Sequence, residues 1–184
     1  DPAEDTFALV GAIEEDLSQG ESTTSKRFGA SICVEVGSGS GYVTAVLAEH
    51  GFMCFATDLN PEASKATRET SERSGVNHFV EPITADLISP IETRLRGKVD
   101  VLVFNPPYVP TDEIEFEESK RKRDISASWS GGLTGTAVLD RLIPKIPVSK
   151  SKNVSQKTTS THWQRLPGTP VSKGTFLSCC NFRE

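Results

Sequence analysis

A glycine-rich turn between an apolar run and a helical pattern constrains the fold of this chain most strongly. The apolar run is Ile32–Val36, the turn Gly37–Gly41 holds three glycines in five residues, and the helical pattern is Tyr42–His50. A strand, a tight turn and a helix in immediate succession are typical of βαβ units, whose consecutive strands lie parallel in one sheet. The turn therefore predicts an α/β fold.

Three further apolar runs continue the alternation of strands and helices. They are Met53–Thr57, Phe79–Thr84 and Val99–Phe104. Between the first two, Asn60 is a good N-cap and Pro61 suits the first helical position, so a helix is predicted to about Ser74. Pro82 lacks an N–H group, which places its strand at the edge of a sheet. The alternation predicts a parallel sheet with flanking helices.

Two more helices are predicted outside this alternation. The first has apolar residues at helical spacing near the N-terminus, namely Phe7, Val10, Ile13 and Leu17. The second has a similar stripe that ends before Pro144, namely Val138, Leu139, Leu142 and Ile143. Both stripes are expected to pack against the core.

The length and composition suit one folded domain. With 184 residues, of which 36% are hydrophobic, the chain can bury a sizeable core, and no apolar stretch is long enough to span a bilayer. We expect a cytoplasmic protein without membrane association. Lys120–Arg123 matches a nuclear-import or RNA-contact patch, which makes the nucleus a second location, although such a run is more often a solvated loop.

The charge of the chain is distributed unevenly. Lys and Arg number 20 against 25 acidic residues, for a net charge of −5. Residues 148–184 hold six of the basic and one of the acidic residues, which leaves 14 and 24 for residues 1–147 and a net charge of −10 there. An acidic body disfavours nucleic acid as a partner, because neutralising phosphates requires a basic face.

The pattern of strands and helices stops near Pro147. Eleven of the 37 residues from Val148 to Glu184 are Ser or Thr, and neither the period of a strand nor that of a helix persists. We therefore expect a folded domain over residues 1–147 and a polar tail over residues 148–184 that does not join the sheet.

Cysteine and histidine residues give no metal-site pattern. The four cysteines contain no C-x-x-C pair, and Cys33 and Cys54 lie in predicted strands while Cys179 and Cys180 lie near the C-terminus. Buried free thiols in a reducing compartment are the favoured interpretation of the first two. The three histidines have no carboxylate or thiol at ligand spacing, so no bound metal is expected.

Acidic residues mark the ends of three predicted strands. Glu35 precedes the glycine turn, Asp58 ends the second strand, and Asp86 with Leu87 ends the third. The carboxyl ends of parallel strands meet at one edge of the sheet, where ligands bind. Asp58 suits the two hydroxyl groups of a ribose, and Asp86 with Leu87 suits the amine and the face of an adenine ring.

The glycine turn does not match the dinucleotide-binding fingerprint. Counted from Gly37 or from Gly39, the third glycine of G-x-G-x-x-G is replaced by Tyr42 or by Thr44. Glu35 would also repel a pyrophosphate group. The turn therefore favours a ligand without a pyrophosphate, which the backbone can approach closely because glycine lacks a Cβ atom.

The fourth predicted strand ends in the sequence Asn105-Pro106-Pro107-Tyr108. The prolines fix φ and supply carbonyl groups but no donors. The Asn105 side chain and the Pro106 carbonyl can each accept one N–H of a planar NH2 group, while Tyr108 packs on its face. The motif therefore indicates an amide or an exocyclic amine as the substrate.

These stretches together resemble a known family. The chain from Pro2 to about Pro147 is similar to the class I S-adenosylmethionine-dependent methyltransferases, and among them to the HemK-like glutamine methyltransferases of eukaryotes and archaea, which modify class I translation termination factors. The matching stretches are Pro2–Phe7, Glu35–Gly41, Thr57–Pro61, Asp86-Leu87, Asn105–Val109, Trp129–Gly132 with Gly135, and Val138–Arg141. The early E-D-T and the later W-x-G-G make the match more specific than N-P-P-Y alone.

The resemblance implies a Rossmann-like class I methyltransferase fold, S-adenosyl-L-methionine as cofactor and a set of site residues. The residues implied to bind the cofactor are Thr6, Glu35, Gly37, Gly39, Asp58, Leu59, Asp86, Leu87 and Asn105. Those implied to act on the substrate amide are Asn105, Pro106 and Tyr108. The implied substrate is a class I translation termination factor.

The resemblance also implies a partner, because this family usually pairs with a small zinc-binding activator protein that covers exposed apolar surface. The edge strand Phe79–Thr84 is the expected docking site, since an edge offers unpaired backbone groups.

Other functions remain open at this point. N-P-P-Y is shared with adenine-N6 methyltransferases, so an adenine of DNA or RNA is a second candidate acceptor, and a histone lysine is a third. A catalytically impaired form that retains cofactor or partner binding is a further alternative. It rests on a difference from the family, whose chains continue after this helix with three more strands. Residues 148–184 show no strand pattern.

Overall fold

Four parallel strands form the centre of the structure, a computed structural model that describes residues 4–19, 31–106 and 137–145. The strands are β1 (Ser31–Val36), β2 (Phe52–Asp58), β3 (Val80–Thr84) and β4 (Val101–Phe104). Their order across the sheet is β3-β2-β1-β4, and each neighbouring pair is parallel. The predicted parallel sheet is confirmed.

Five helices accompany the sheet in the described part of the chain. They are α1 (Glu4–Gln19), α2 (Tyr42–Glu49), α3 (Pro61–Arg73), α4 (Glu92–Leu95) and α5 (Ala137–Leu142). Short 3-10 turns occupy Asn77–Phe79 and Ile143–Lys145. No helix among these residues has the length and apolar character that crossing a membrane requires.

Alternation along β1 divides the core into two layers. Cys33 belongs to a layer formed with α1 and α2, whose apolar members include Ile13 and Leu47. Val34 and Val36 belong to the opposite layer, which β4, α4 and α5 complete. Successive side chains of a strand point to opposite faces of its sheet, so a buried strand can supply both layers.

The start of α3 follows the capping rule that the sequence indicates. The Asn60 side chain accepts a hydrogen bond from the Glu62 N–H at 3.0 Å, and Pro61 occupies the first helical position. The helix ends before Gly75, which has a φ of 71°. The predicted helix from Pro61 to about Ser74 is confirmed to within a residue.

The expected edge position of the third strand is also confirmed. β3 pairs with β2 alone among the described strands, and Pro82 lies opposite Ala56 in that pairing. The prediction that Cys33 and Cys54 are buried free thiols is confirmed, and the two residues are register partners across β1 and β2.

Several element boundaries differ from the prediction. β3 begins at Val80 because the preceding residues form a 3-10 turn, and Phe79 is 43% exposed. β4 begins at Val101, directly after Asp100. The Asp100 carboxylate accepts a hydrogen bond from the Ile32 N–H, and the Asp100 N–H donates to the Ile32 carbonyl. Helix α4 was not predicted, because four residues are too few to establish a helical period.

The C-terminal side of the described chain also needs one correction. The helix predicted to run up to Pro144 ends at Leu142, and Pro144 lies inside the 3-10 turn that follows. A residue before proline disfavours the α conformation, so the boundary moves one residue earlier. The polar segment 148–184 and the Lys120–Arg123 patch lie outside the described residues.

Candidate active site

Four of the predicted site residues lie at the end of the sheet where ligands bind in open α/β folds. The chain leaves β1 for β2 on one side, and β4 lies on the other side of β1, so the strand order reverses between β1 and β4. A crevice opens beyond the carboxyl ends of the strands at such a point. Glu35, Asp58, Asp86 and Asn105 all lie at or just beyond these carboxyl ends.

The glycine turn begins with two backbone hydrogen bonds to β2. The N–H groups of Gly37 and Ser38 donate to the Thr57 carbonyl at 2.7 and 3.1 Å. Gly37 and Gly39 have φ values of 74° and 53°, which non-glycine residues rarely adopt. A Cβ atom on Gly39 would meet no atom within 4 Å, so open space adjoins the turn where a ligand can approach the backbone.

Hydrogen bonds to α3 fix the far side of the turn. The Thr67 hydroxyl donates to the Ser38 hydroxyl at 2.9 Å, and the Thr70 hydroxyl donates to the Ser40 carbonyl at 2.7 Å. Gly41 has a φ of 76°, and a Cβ atom at that position would lie 2.5 Å from the Thr67 Cα. The turn is therefore held rigidly between α3 and β2.

Asp58 ends β2 with both carboxylate oxygens bonded to the backbone. Oδ2 accepts from the Gly39 N–H at 3.0 Å, and Oδ1 accepts from the Asn60 N–H at 2.8 Å. Burial raises the pKa of Asp58, and the hydrogen bonds from Asn60 and Gly39 oppose that increase. Each oxygen has a second lone pair, so the group can still accept from the hydroxyl groups of a ligand. Leu59, the next residue, is half-buried.

Glu35 is a carboxyl group buried beneath the glycine turn. It is 4% exposed, and the Thr44 hydroxyl from α2 donates a hydrogen bond to its Oε2. Burial raises the pKa of Glu35 to about 8; the Thr44 hydrogen bond lowers it, and the nearby Asp58 charge raises it. The group therefore carries its proton at pH 7 unless a positive charge lies beside it.

The acid at the end of the third strand forms an ion pair that was not predicted. The Asp86 carboxylate lies 2.5 Å from the Arg141 guanidinium of α5, and both side chains are nearly half exposed. Leu87 is 6% exposed and has a φ of 54°. A leucine in this conformation costs energy, and such residues cluster at functional sites. Asp86 thus lies at the expected place, with its charge shared with Arg141.

The Asn105 side chain has a buried hydrogen-bond acceptor that no described group donates to. Its Oδ1 atom is buried and has no hydrogen-bond partner among the described residues, although most buried polar atoms have one. The backbone of Asn105 adjoins the glycine turn, since a Cβ atom on Gly37 would lie 4.0 Å from the Asn105 carbonyl oxygen. Pro106 is buried, and Tyr108 lies outside the described residues.

The start of α1 lies next to the start of α2. The rings of Phe7 and Tyr42 make an edge-to-face contact with centroids 5.5 Å apart and an interplanar angle of 62°. Thr6 is half-buried beside this pair. Phe7 was predicted to join the apolar stripe of its helix, but it is 53% exposed and contacts Tyr42. The contact brings the N-terminal end of α1 close to the residue that follows the glycine turn.

The structure identifies supporting residues that the sequence analysis missed. Thr44 bonds to Glu35, Thr67 bonds to the glycine turn, and Arg141 pairs with Asp86. Thr44 could have been noticed, because it is a polar residue within the apolar helix Tyr42–Glu49. Within the described ranges, no three His, Cys, Asp or Glu side chains come together as a metal site would require.

Comparison with known proteins places this geometry in a family. The Methyltransferase small domain matches residues 22–121. Methyltransferase HEMK2 of Mus musculus is 43% identical over 152 residues, which are 80% of this chain and 64% of that protein. The eRF1 methyltransferase catalytic subunit mtq2 of Schizosaccharomyces pombe is 31% identical over 160 residues, which are 79% of this chain and 65% of that protein.

A solved structure supports the same fold. The chain matches the E. cuniculi Mtq2-Trm112 complex, described as responsible for methylation of the eRF1 translation termination factor, with a TM-score of 0.58 at 22% identity. The match covers 98% of this chain and 96% of that chain. The parallel sheet with flanking helices is therefore a Rossmann-like class I methyltransferase fold, as predicted.

The family match covers more than half of the sequence. The chain belongs to the Methyltransferase small domain family. It spans less than two thirds of the length of the two curated relatives described above.

Proposed function

We propose that this protein is an S-adenosylmethionine-dependent N-methyltransferase that acts on a glutamine side-chain amide of a class I translation termination factor. The names of the related proteins support the reaction and the substrate. The observation that carries the proposal is the buried Oδ1 atom of Asn105, which has no hydrogen-bond partner among the described residues and lies next to the glycine turn. An amide N–H of the substrate would satisfy that acceptor.

The residues present fit S-adenosylmethionine. The open face of Gly39 admits a ligand to the backbone, Asp58 keeps acceptor capacity for ribose hydroxyl groups, and Glu35 can take a negative charge beside a positively charged ligand. Asp86 and Leu87 would hold the adenine end, and Leu59 and Thr6 would contribute neighbouring surface. When bound, the cofactor supplies a methyl group on a sulfonium, which a nitrogen lone pair can attack.

The chain's contribution to transfer is to localise that lone pair. An amide nitrogen is a poor nucleophile because its lone pair is delocalised into the carbonyl group. If the Asn105 Oδ1 and the Pro106 carbonyl each accept one N–H, the nitrogen is held toward pyramidal geometry with its lone pair directed out of the amide plane. Tyr108 would pack on the flat face of the amide. The methylated nitrogen then loses a proton to water.

Replacement of Asn105 tests this role. We expect Asn105→Ala to reduce methyl transfer by at least about a hundredfold, because it removes an acceptor aligned with the reacting nitrogen. The Kd for the cofactor, measured by calorimetry, should change little. Asn77→Ala, on an exposed 3-10 turn, is the control and should transfer methyl groups as the unaltered chain does. Equal turnover in Asn105→Ala would contradict the assignment.

A comparison of acceptors tests the substrate. The protein, with and without a Trm112-like subunit, is incubated with methyl-labelled cofactor and with one of three acceptors: a class I termination factor, an oligonucleotide containing adenine, or a histone. We expect label in the termination factor alone, at a glutamine identified by mass spectrometry. Label in the oligonucleotide or the histone would favour the alternative acceptors. Cofactor binding without transfer to any acceptor would favour a catalytically impaired form.

We place the small zinc-binding activator at the outer edge of β3. That edge lacks a strand partner among the described residues, and Phe79 is 43% exposed just before it. An unpaired edge beside an exposed aromatic residue suits strand addition by another protein. We expect Phe79→Asp to weaken co-purification of a Trm112-like subunit at least about tenfold, because a charge would be buried in the interface. Thr93→Asp, at an exposed site on α4 away from β3, is the control, and co-purification of Phe79→Asp at the level of the unaltered chain would contradict this placement.

A further inference from the structure

Thr44 and Glu35 form a buried pair that no step of the proposed methyl transfer uses. Thr44 is 0% exposed, Glu35 is 4% exposed, and the Thr44 hydroxyl donates to the Glu35 carboxyl group. A buried carboxyl group is stable as a neutral acid, or as an anion when a positive charge is close. The protonation state of Glu35 therefore depends on the charge of the ligand in the crevice above it.

No described basic side chain provides that positive charge. The ion pairs within residues 4–19, 31–106 and 137–145 join Arg73 to Glu69, Arg96 to Glu92, Arg141 to Asp86 and Lys145 to Glu92. None of them involves Glu35.

Among the described residues, the groups that face Glu35 are neutral or acidic. α2 contributes the Thr44 hydroxyl, the end of β2 contributes the Asp58 carboxyl group, and β1, the strand of Glu35 itself, contributes the Cys33 thiol. The register partners of Glu35 on the neighbouring strands are Ala56 and Val103. The buried residues of α1 on this side are apolar, namely Leu9, Val10 and Ile13.

We propose that Thr44 is a positioning residue for Glu35, and that the pair couples binding of the cationic cofactor to the release of one proton. The Glu35 carboxyl group holds its proton in the free protein and passes it to solvent when a sulfonium and an ammonium group enter the crevice. An ionised carboxylate can only accept hydrogen bonds, so the Thr44 hydroxyl acts as the donor and stabilises the resulting anion. This inference rests on the proposed function, because it requires S-adenosylmethionine as the ligand.

Calorimetry across pH provides the first test. The Kd for S-adenosylmethionine is measured from pH 6 to pH 9 in pairs of buffers with different ionisation enthalpies, which report proton release. The ligand's own amino group also titrates in this range. Glu35→Gln is therefore the reference, because it keeps the titration of the ligand and removes that of the carboxyl group.

We expect the affinity of the unaltered chain, relative to Glu35→Gln, to rise by up to about tenfold per pH unit from pH 6 to about pH 8 and then level off. Proton release should approach about one per ligand at the low end of the range. A constant ratio of the two affinities, or no proton release beyond that of Glu35→Gln, would overturn the inference.

Substitutions of Thr44 separate positioning from a purely structural role. Thr44→Val keeps the shape of the side chain and removes the donor, so it should weaken binding most at low pH and move the midpoint upward by about one pH unit. Thr44→Ser should restore the original pH profile. Thr93→Val, the same substitution at an exposed site on α4, is the control. An equal loss of affinity at every pH in Thr44→Val would overturn the positioning role.

A measurement on the free protein keeps the inference testable without the ligand. In a glutamate-labelled sample, the carboxyl resonance that is missing in Glu35→Gln belongs to Glu35. Its midpoint should lie near pH 8 in the unaltered chain and higher in Thr44→Val. A midpoint near the ordinary value for glutamate would overturn the inference. Absence of cofactor binding at every pH, with this titration as expected, would instead overturn the proposed function and the ligand-linked part of the inference.

Discussion

At the scale of single residues, two glycines of the turn have different roles: one gives a ligand access to the backbone and the other allows close packing on α3. Gly39 faces open space, where its missing Cβ atom leaves the backbone accessible to a ligand. Gly41 faces α3, where its missing Cβ atom allows the turn to touch the backbone of Thr67. Both glycines have positive φ values, so the conformational requirement is the same while the steric requirement differs.

Alanine substitutions separate these requirements. Gly75→Ala introduces a Cβ atom at a φ of 71° with nothing within 4 Å, and we expect a loss of about 1–2 kcal/mol in the free energy of unfolding. Gly41→Ala has a similar φ of 76° but places Cβ 2.5 Å from the Thr67 Cα. This clash should increase the loss in the free energy of unfolding by about 1–3 kcal/mol more than in Gly75→Ala. Urea unfolding measures both. Equal losses would show that the turn can move away from α3.

At the scale of elements, α3 supports the site from outside. Its N-terminus follows Asp58 directly, with Asn60 as the capping residue, and its hydroxyl groups bond to Ser38 and Ser40 of the turn. The helix itself is polar apart from a few positions, so contacts with the turn and with β2 and β3 anchor it. A weakened cap would therefore loosen the segment that follows the predicted ribose-binding acid.

The cap of α3 can be tested by itself. Asn60→Ala should lower the free energy of unfolding by about 1 kcal/mol, because the Glu62 N–H loses its acceptor. Asn60→Ser should retain most of the stability, since serine is an equally good cap. Asn77→Ala, at an exposed position outside the helix, should change stability by less than about 0.5 kcal/mol. Indistinguishable values for Asn60→Ala and Asn60→Ser would mean that the side-chain cap contributes nothing.

At the scale of the whole molecule, the site reduces the stability of the fold. The buried Glu35, the left-handed Leu87 and the Asn105 Oδ1, which has no partner in the described part of the chain, are each unfavourable without a ligand. All three lie at the carboxyl end of the sheet, whereas the two apolar layers fill its faces. A ligand that satisfies these groups should stabilise the protein by mass action.

The pH dependence of unfolding reports the contribution of Glu35. Its pKa is about 8 in the folded state and near 4.5 when unfolded, so the protonated form favours folding. The stabilisation of the fold by the buried, protonated Glu35 is fully present below pH 4.5 and is lost as the pH rises through 8. Between these two pH values the free energy of unfolding falls by up to about 1.4 kcal/mol per pH unit. Glu35→Gln should lack this loss. In thermal or urea unfolding the two proteins should differ least near pH 4.5 and most above pH 8; parallel curves would contradict the assignment.

Local sequence patterns were enough to predict most of the elements and the positions of the acidic residues. Hydrophobic runs of five or six residues, a glycine turn and an Asn-Pro cap are local signals, because each depends on neighbours within a turn or a strand. They predicted the parallel sheet, the edge position of β3 and the placement of Glu35, Asp58, Asp86 and Asn105 at strand ends. The boundaries of β3 and β4 were less accurate, since a 3-10 turn and the contact between Asp100 and Ile32 decide them.

The pairing and the charge of the groups in the site follow from contacts that exist in the folded molecule alone. Thr44 reaches Glu35 across the interface between α2 and β1, and Arg141 reaches Asp86 across 55 residues of chain. Burial and the proximity of other charges depend on how the elements pack in the fold. They set the pKa of Glu35 and leave Asn105 Oδ1 without a partner among the described residues. Local sequence patterns cannot encode distances between residues far apart in the chain, so the chemistry of the site had to be taken from the folded molecule.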